Sequence, residues 1–165
     1  MKPSRTLIIG VGNEFRGDDA AGLIAARKLR SLAPSDVRVI EHTGEGAALL
    51  DLWQGAETVI VLDAVQSGAS PGTIYRIHAN KKSLPPRYFQ HSTHAFGVCH
   101  AIELAGALQC LPSSLWFFGI EGDSFRYTVG LSPPVQQAVA SLASELANQY
   151  RHPWRPRLQA TAHRS

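Results

Sequence analysis

Residues 58–64 have the sequence TVIVLDA, a continuous apolar run that ends close to a single acid, Asp63. A run without polar alternation, rich in Val and Ile, is typical of a strand that is buried on both faces of a parallel sheet. Two similar runs occur at residues 6–11 (TLIIGV) and 115–121 (LWFFGIE). Three such strands in one chain predict an α/β fold with a mostly parallel sheet.

Helical periodicity separates these runs, with small or apolar residues on one side of each helix and charged residues on the other. The predicted strands lie at residues 6–11, 37–42, 58–64, 73–78 and 115–121. The predicted helices follow Asp18 and Asp19, span residues 47–53 and 94–111, and begin after residues 132–134. Residues 80–89, with two lysines and two prolines, are predicted to form an exposed loop.

The chain length of 165 residues indicates one domain, which we assign to residues 1–150, followed by a basic tail at residues 151–165. The formal net charge is +3, but residues 1–150 carry 12 basic and 13 acidic side chains, a balance of 12 − 13 = −1. The tail carries four arginines and no acid, 4 − 0 = +4. The predicted domain is therefore slightly acidic, which argues against nucleic acid as its partner.

Several further classes of protein are excluded by pattern. No apolar stretch approaches the ~20 residues that span a bilayer, so we expect no membrane insertion. The first apolar run is cut by Asn13, Glu14 and Arg16 and is too short for a signal-peptide core. Cys99 and Cys110 are too few for a disulfide framework. We therefore expect a cytoplasmic location.

The loop after the first strand, residues 10–19 (GVGNEFRGDD), has part of a dinucleotide-binding fingerprint. The third glycine of that fingerprint would fall on Phe15. The acids in the same loop would repel a pyrophosphate from the helix N-terminus that normally attracts it. The chain also has no P-loop sequence, so the pattern argues against nucleotide binding.

Acidic residues and a histidine fall instead where ligands collect in such folds, outside the carboxyl ends of the strands. Asp18 and Asp19 follow the first strand, Asp63 ends a buried one, and His94 begins a predicted helix. Two carboxylates and one imidazole form a mixed oxygen and nitrogen site that suits nickel, zinc or iron. Structural alternatives remain open: a helix N-cap for Asp18 or Asp19, and a hydrogen bond to a turn for Asp63.

Other catalytic readings have weaker support. The serines have no nucleophile-elbow sequence around them, and neither cysteine lies in an activating setting. A zinc site built from His91, His94 and Cys99 matches no closed structural zinc motif. His91 itself is compatible with either a functional or a packing role.

An ordered set of motifs resembles the nickel–iron hydrogenase maturation endopeptidases, the family that trims the C-terminus of the hydrogenase large subunit. The motifs are Gly10-x-Gly12-Asn13, Asp18-Asp19 with Gly22, Val61-Leu62-Asp63-Ala64, Pro71-Gly72-Thr73, His94-Ala95-Phe96-Gly97, Gly119-Ile120-Glu121 and Gly130-Leu131-Ser132-Pro133. They extend over about residues 6–145, and the basic tail lies outside them.

This resemblance implies a single-domain, five-stranded twisted sheet sandwiched between helices. It also implies that Asp19, Asp63 and His94 are the catalytic and metal-contacting residues, and that the metal is nickel brought by the substrate. Many relatives have Glu at the first of these positions, so Asp19 is one methylene shorter. Residues 43–46 (TGEG) depart from the Gly-Gly-Thr of many members, a difference that bears on which large subunit is recognised.

The function expected from the resemblance is removal of a C-terminal extension from a nickel-loaded large-subunit precursor. Water would attack the peptide bond, either polarised by the metal or deprotonated by Asp19 or Asp63. Gly12 and Asn13 would offer amide donors to the substrate. Asp18 and Glu121 are further candidates that would support the site. The alternative is a nickel-dependent checkpoint or chaperone that docks on the large subunit without cutting it.

Overall fold

The computed structural model describes residues 5–150, so the predicted basic tail lies outside the described residues. The strands are β1 (Thr6–Val11), β2 (Val37–His42), β3 (Thr58–Val65), β4 (Ile74–His78) and β5 (Ser114–Glu121). The helices are α1 (Ala21–Arg30), α2 (Gly46–Leu52), α3 (Val98–Ala107) and α4 (Pro133–Tyr150). Two short 3-10 turns, Gly17–Ala20 and Pro86–Phe89, complete the elements. Within the described residues, no helix is both long enough and apolar enough to cross a membrane.

The five strands form one sheet in the order β2-β1-β3-β5-β4. Four strands are parallel, and β4 pairs with β5 in the antiparallel sense. The mostly parallel five-stranded sheet is therefore confirmed. The strand order reverses direction between β1 and β3, which is the switch point where a crevice opens in sheets of this type.

Helices cover both faces of the sheet, and alternate residues of β3 supply the two halves of the core. Val59 and Val61 pack in the cluster that includes α2 and α3, whereas Ile60 and Leu62 pack in the cluster of α1 and α4. All four side chains are fully buried. The unbroken apolar run arises because both faces of the strand are covered.

Helix α1 lies unusually close to the sheet, as its small inward residues predict. A Cβ atom on Gly22 would lie 2.2 Å from the Leu62 carbonyl oxygen and 2.5 Å from that of Val11. Only glycine fits this contact with the ends of β1 and β3. The turn that precedes α1 is thereby held over the carboxyl ends of the strands.

The starts of α1 and α3 differ from the prediction. Asp18 and Asp19 lie in the 3-10 turn before α1, and the N-cap of α1 is Ala20, so neither aspartate caps that helix. Helix α3 begins at Val98 rather than at His94, because Gly97 is extended and the Ser92 hydroxyl accepts a hydrogen bond from the His94 N–H. His94 therefore lies in a loop.

The predicted C-terminal end of that helix is also too late. The helix ends at Ala107, and Gln109 adopts the left-handed conformation with φ of 55°. A left-handed residue stops the helical hydrogen-bond pattern, so residues 109–111 are outside the helix.

Candidate active site

A cavity of about 550 Å³ lies at the switch point between β1 and β3. Its wall is formed by the ends of the first three strands, the turn before α1 and the loop before α3. The residues of interest that line it are Gly12, Asn13, Asp19, Asp63, His91 and His94. The predicted trio of Asp19, Asp63 and His94 thus shares one cavity.

Asp63 is a carboxylate held almost entirely inside the protein. It lies two residues before the end of β3 and is 4% exposed. Burial raises the pKa of this carboxyl well above its ordinary value, and the nearby Asp19 raises it further. The Ala64 N–H opposes this increase. Because burying an unpaired negative charge is costly, the position favours a proton or a cation beside it.

Asp19 brings a second acid to the same place from the 3-10 turn. It is 8% exposed, and burial raises its pKa. Arg16, the main-chain N–H of Asn13 and His94 each act in the opposite direction. Asp19 therefore has more groups that stabilise its ionised form than Asp63 has, and its pKa is raised less.

His91 supplies the imidazole nearest to these acids. Its Nε2 lies 3.4 Å from Oδ1 of Asp19, and its ring stacks on Phe125 with centroids 4.5 Å apart. Burial lowers its pKa to about 4, with a contribution from Arg16, while the Tyr88 carbonyl acts against this change. The ring is therefore neutral near pH 7 and keeps a lone pair on one nitrogen.

The ligand atoms of Asp19, Asp63 and His91 all lie within 4.8 Å of one another. All three residues are buried, and their oxygen and nitrogen donors suit a divalent transition metal. His94 is half-buried and lies outside this close group, with its Nε2 3.1 Å from the Thr43 carbonyl oxygen. The metal-contacting role of His94 stays a prediction.

Gly12 holds the backbone of the site in place. Its N–H donates to the His42 carbonyl at 3.1 Å, so this amide is already engaged and is not free for a substrate. Its φ is +151°, and a Cβ atom there would lie 1.9 Å from the Asp19 carbonyl oxygen. The position requires glycine because of the close approach of the turn that carries Asp19.

Asn13 is exposed at the wall of the cavity. Its side-chain oxygen accepts a hydrogen bond from the Phe15 N–H at 2.9 Å, and its main-chain N–H is directed to Asp19. The side-chain amide nitrogen is thus the donor that Asn13 could offer to a substrate.

Asp18 acts through the backbone rather than in the cavity. Its carboxylate accepts hydrogen bonds from the main-chain N–H groups of Asp123, Ser124 and Ser132, and from the Ser132 hydroxyl, at 2.8 to 3.1 Å. The side chain is 1% exposed. Asp18 therefore joins the turn that carries Asp19 to the loop between β5 and α4.

Glu121 has a similar connecting role at the end of β5. Its carboxylate accepts hydrogen bonds from the Ser67 N–H and hydroxyl and from the Gly68 N–H. Glu121 is buried but does not line the cavity described above. Its contacts hold the turn that leads from β3 to β4.

The sequence leaves the role of His91 open, and only folding shows its position. The local signal is weak, since a histidine three residues before His94 is equally compatible with the surface. Its ring stacks on Phe125, which lies on a different loop. The one local signal is that His91 lies three residues before His94 in the same loop.

The fold and the cavity define an α/β protein with two buried acids and nearby imidazoles at the switch point of its sheet. The chain belongs to the hydrogenase maturation protease family, whose model matches residues 24–149. The resemblance found in the motifs is thereby confirmed.

Individual relatives agree with this assignment. The chain is 26% identical over 154 residues to the hydrogenase expression/formation protein HupD of Rhodobacter capsulatus, covering 92% of this chain and 73% of the relative. It is 26% identical over 140 residues to the hydrogenase 2 maturation protease of Escherichia coli K12, covering 82% and 84%. The crystal structure of the NiFe hydrogenase maturation protease HycI from Thermococcus kodakarensis has the same fold, with a TM-score of 0.73, 23% identity and coverage of 90% and 94%.

Proposed function

We propose that this chain is an endopeptidase that removes the C-terminal extension of a nickel-loaded precursor of a NiFe hydrogenase large subunit. Membership of the protease family supplies the reaction class. The observation that carries the proposal is the pair of buried carboxylates, Asp19 and Asp63, facing one cavity with raised pKa values. Nickel enters this proposal as part of the substrate.

The donor set fits a divalent transition metal. Carboxylate oxygens and imidazole nitrogens are ligands that nickel accepts, and three of them lie within 4.8 Å of one another. Two neighbouring buried acids repel each other when both are ionised, and a cation between them would relieve that repulsion. A metal ion bound there would act as a Lewis acid and lower the pKa of a water molecule.

The carboxylates of this chain would accept the proton that the attacking water loses. An aspartate whose pKa is raised by burial is a stronger base than an exposed one, so Asp19 or Asp63 can accept the proton of an attacking water. His94, bonded to the Thr43 carbonyl in the loop after β2, would contact the incoming metal from the more exposed part of the cavity. Thr43 belongs to residues 43–46, the segment that departs from the common family pattern, so that segment would help to position His94 for the metal.

A cysteine nucleophile has little support. Burial, together with the nearby Glu103, raises the pKa of the Cys99 thiol to about 11. The thiolate is the reactive form, so Cys99 is inert near neutral pH. Water therefore fits the site better as the nucleophile.

The precursor also needs a surface on which to dock beside the cavity. Phe15 lines the cavity and is 61% exposed, and Tyr127 is 84% exposed. The segments that carry them are joined, because Arg16 pairs with Thr128 in an isolated parallel bridge and the Arg16 guanidinium lies 5.8 Å from the Tyr127 ring centroid. We assign this apolar rim, Phe15 and Tyr127, to contact with the precursor around the cleavage site.

The test compares nickel-loaded and nickel-free precursor, with the products weighed by mass spectrometry. We expect loss of a C-terminal peptide from the loaded form alone, and no loss with Asp63→Asn. Asp51→Asn, at an exposed position on α2, is the matched control and should cleave normally. Nickel-dependent binding of the precursor without any peptide loss would overturn the protease and favour the checkpoint role.

A further inference from the structure

We propose that His91 supplies a nitrogen ligand to the metal ion that Asp19 and Asp63 contact. The site of this chain would then contain two aspartates and two histidines, one imidazole more than the family resemblance implies. This inference rests on the proposed function only for the identity of the metal as nickel. The geometry of His91 is a property of the protein alone.

The ligand atoms of Asp19, Asp63 and His91 are nearly close enough together to coordinate a single metal ion. Nε2 of His91 lies 3.4 Å from Oδ1 of Asp19, and the ligand atoms of Asp19, Asp63 and His91 are all within 4.8 Å of one another. Two ligands at about 2.1 Å from one ion can lie up to about 4.2 Å apart. Shifts of less than about 1 Å would therefore bring all three donors onto a single ion.

His91 is held in place through both its ring and its main chain. It stacks on Phe125 with an interplanar angle of 18°, and Arg16 donates a hydrogen bond to the His91 carbonyl at 2.8 Å. Phe125 itself fits closely over Gly122, where a Cβ atom would lie 2.5 Å from its ring. A buried, oriented imidazole loses little conformational freedom on binding a metal, which favours affinity.

The two histidines are placed differently in the same cavity. His91 is 7% exposed, and its Nε2 is close to Asp19. His94 is half-buried, and its Nε2 lies against the Thr43 carbonyl. We infer that His91 completes the inner part of the site, while His94 is the imidazole more accessible to a metal carried by the substrate.

The test measures metal binding to the purified protein without any precursor. Ni²⁺ titrations by calorimetry would compare the unmodified protein with His91→Ala, His94→Ala and His100→Ala, the last being an exposed histidine on α3. We expect His91→Ala to weaken Ni²⁺ binding at least ~10-fold, as loss of a metal-site partner typically does. His100→Ala should bind as the unmodified protein does.

A spectroscopic measurement separates a ligand from a residue that only positions Asp19. Pulsed EPR on the Cu²⁺-loaded protein counts coordinated imidazoles, and we expect one fewer in His91→Ala than in the unmodified protein. His91→Asn, which keeps a polar group but lacks a nitrogen at the Nε2 position, should give the same result. Circular dichroism spectra would confirm that the variants retain the fold.

Two outcomes would overturn the inference: unchanged Ni²⁺ affinity in folded His91 variants, or reduced affinity with an unchanged number of imidazoles. If His91→Ala unfolds, the same two measurements on His91→Asn decide whether the inference holds. Precursor cleavage is measured separately. Loss of an imidazole from the Cu²⁺ signal would uphold the inference even if the unmodified protein failed to cleave nickel-loaded precursor, which would refute only the proposed function.

Discussion

Asp18 accepts hydrogen bonds from both the N–H and the hydroxyl of Ser132, a residue 114 positions further along the chain. This contact joins the turn that carries Asp19 to the start of α4 across the carboxyl edge of the sheet. The bonds between Asp18 and Ser132 fix this turn, and the fixed turn holds the Asp19 carboxylate in the cavity.

Replacing Asp18 with Ala should destabilise the protein by about 3 kcal/mol, because several buried donors lose a charged acceptor. Thermal and urea unfolding would measure the change. Asp51→Ala, on the exposed side of α2, is the control and should lie within about 0.5 kcal/mol of the unmodified protein. A similarly small effect of Asp18→Ala would show that the network contributes little.

Asp63→Asn should stabilise the metal-free protein near pH 7 by on the order of 1 kcal/mol while abolishing cleavage. The folded-state pKa of Asp63 is raised, so its favourable contribution is fully present below the unfolded pKa of about 3.9 and is lost as pH rises through the folded value. The stability of the unmodified protein should therefore fall over that interval more steeply than that of the variant. Unfolding in EDTA at several pH values would test this, and identical pH profiles would contradict it.

Added Ni²⁺ should raise the melting temperature of the unmodified protein. A ligand at 100 times its dissociation constant stabilises the native state by about 2.7 kcal/mol. The shift should disappear after chelation and should be absent in Asp63→Asn, which lacks the buried negative charge. An equal shift in both proteins would place the binding outside this cavity.

Gly12→Ala should destabilise the fold by more than about 2 kcal/mol and impair cleavage, because the added methyl group would collide with the Asp19 carbonyl. Gly55→Ala is a matched control, since Gly55 also has a positive φ, +80°, but has open space around the added atom. Gly12→Ala should be the more destabilising of the two variants, because only there does the added atom meet backbone. Equal destabilisation would refute a special role for the close approach at Gly12.

Tyr127→Ala should raise the KM for the precursor several-fold and leave kcat nearly unchanged, because an exposed ring at the apolar rim would contribute binding rather than chemistry. Leu108→Ala removes a side chain that is 64% exposed just beyond the end of α3 and serves as the control. Steady-state kinetics with nickel-loaded precursor would measure both. An unchanged KM in Tyr127→Ala would remove that residue from the docking surface.

The class of fold and one half of the acidic pair were predictable from local pattern. Unbroken apolar runs such as those of β1 and β3 are typical of strands that are covered on both faces, so residue order predicts the buried parallel sheet. A single acid near the end of such a run, Asp63, falls at the carboxyl edge by the same reasoning. The positions of Asp18, Asp19 and His94 after β1 and before α3 placed them at the same edge, and the family resemblance selected Asp19 of the first two.

Tertiary structure alone decided which groups surround those acids. His91 stacks on Phe125 and Asp18 bonds to Ser132, both far away along the chain. The periodicity of a strand or helix depends on residues that are close together in sequence. Contacts between loops form only after the folded sheet has brought those loops to the same edge. The sequence by itself therefore determined the sheet and the place of the site, and the folded chain determined the position of His91 beside Asp19.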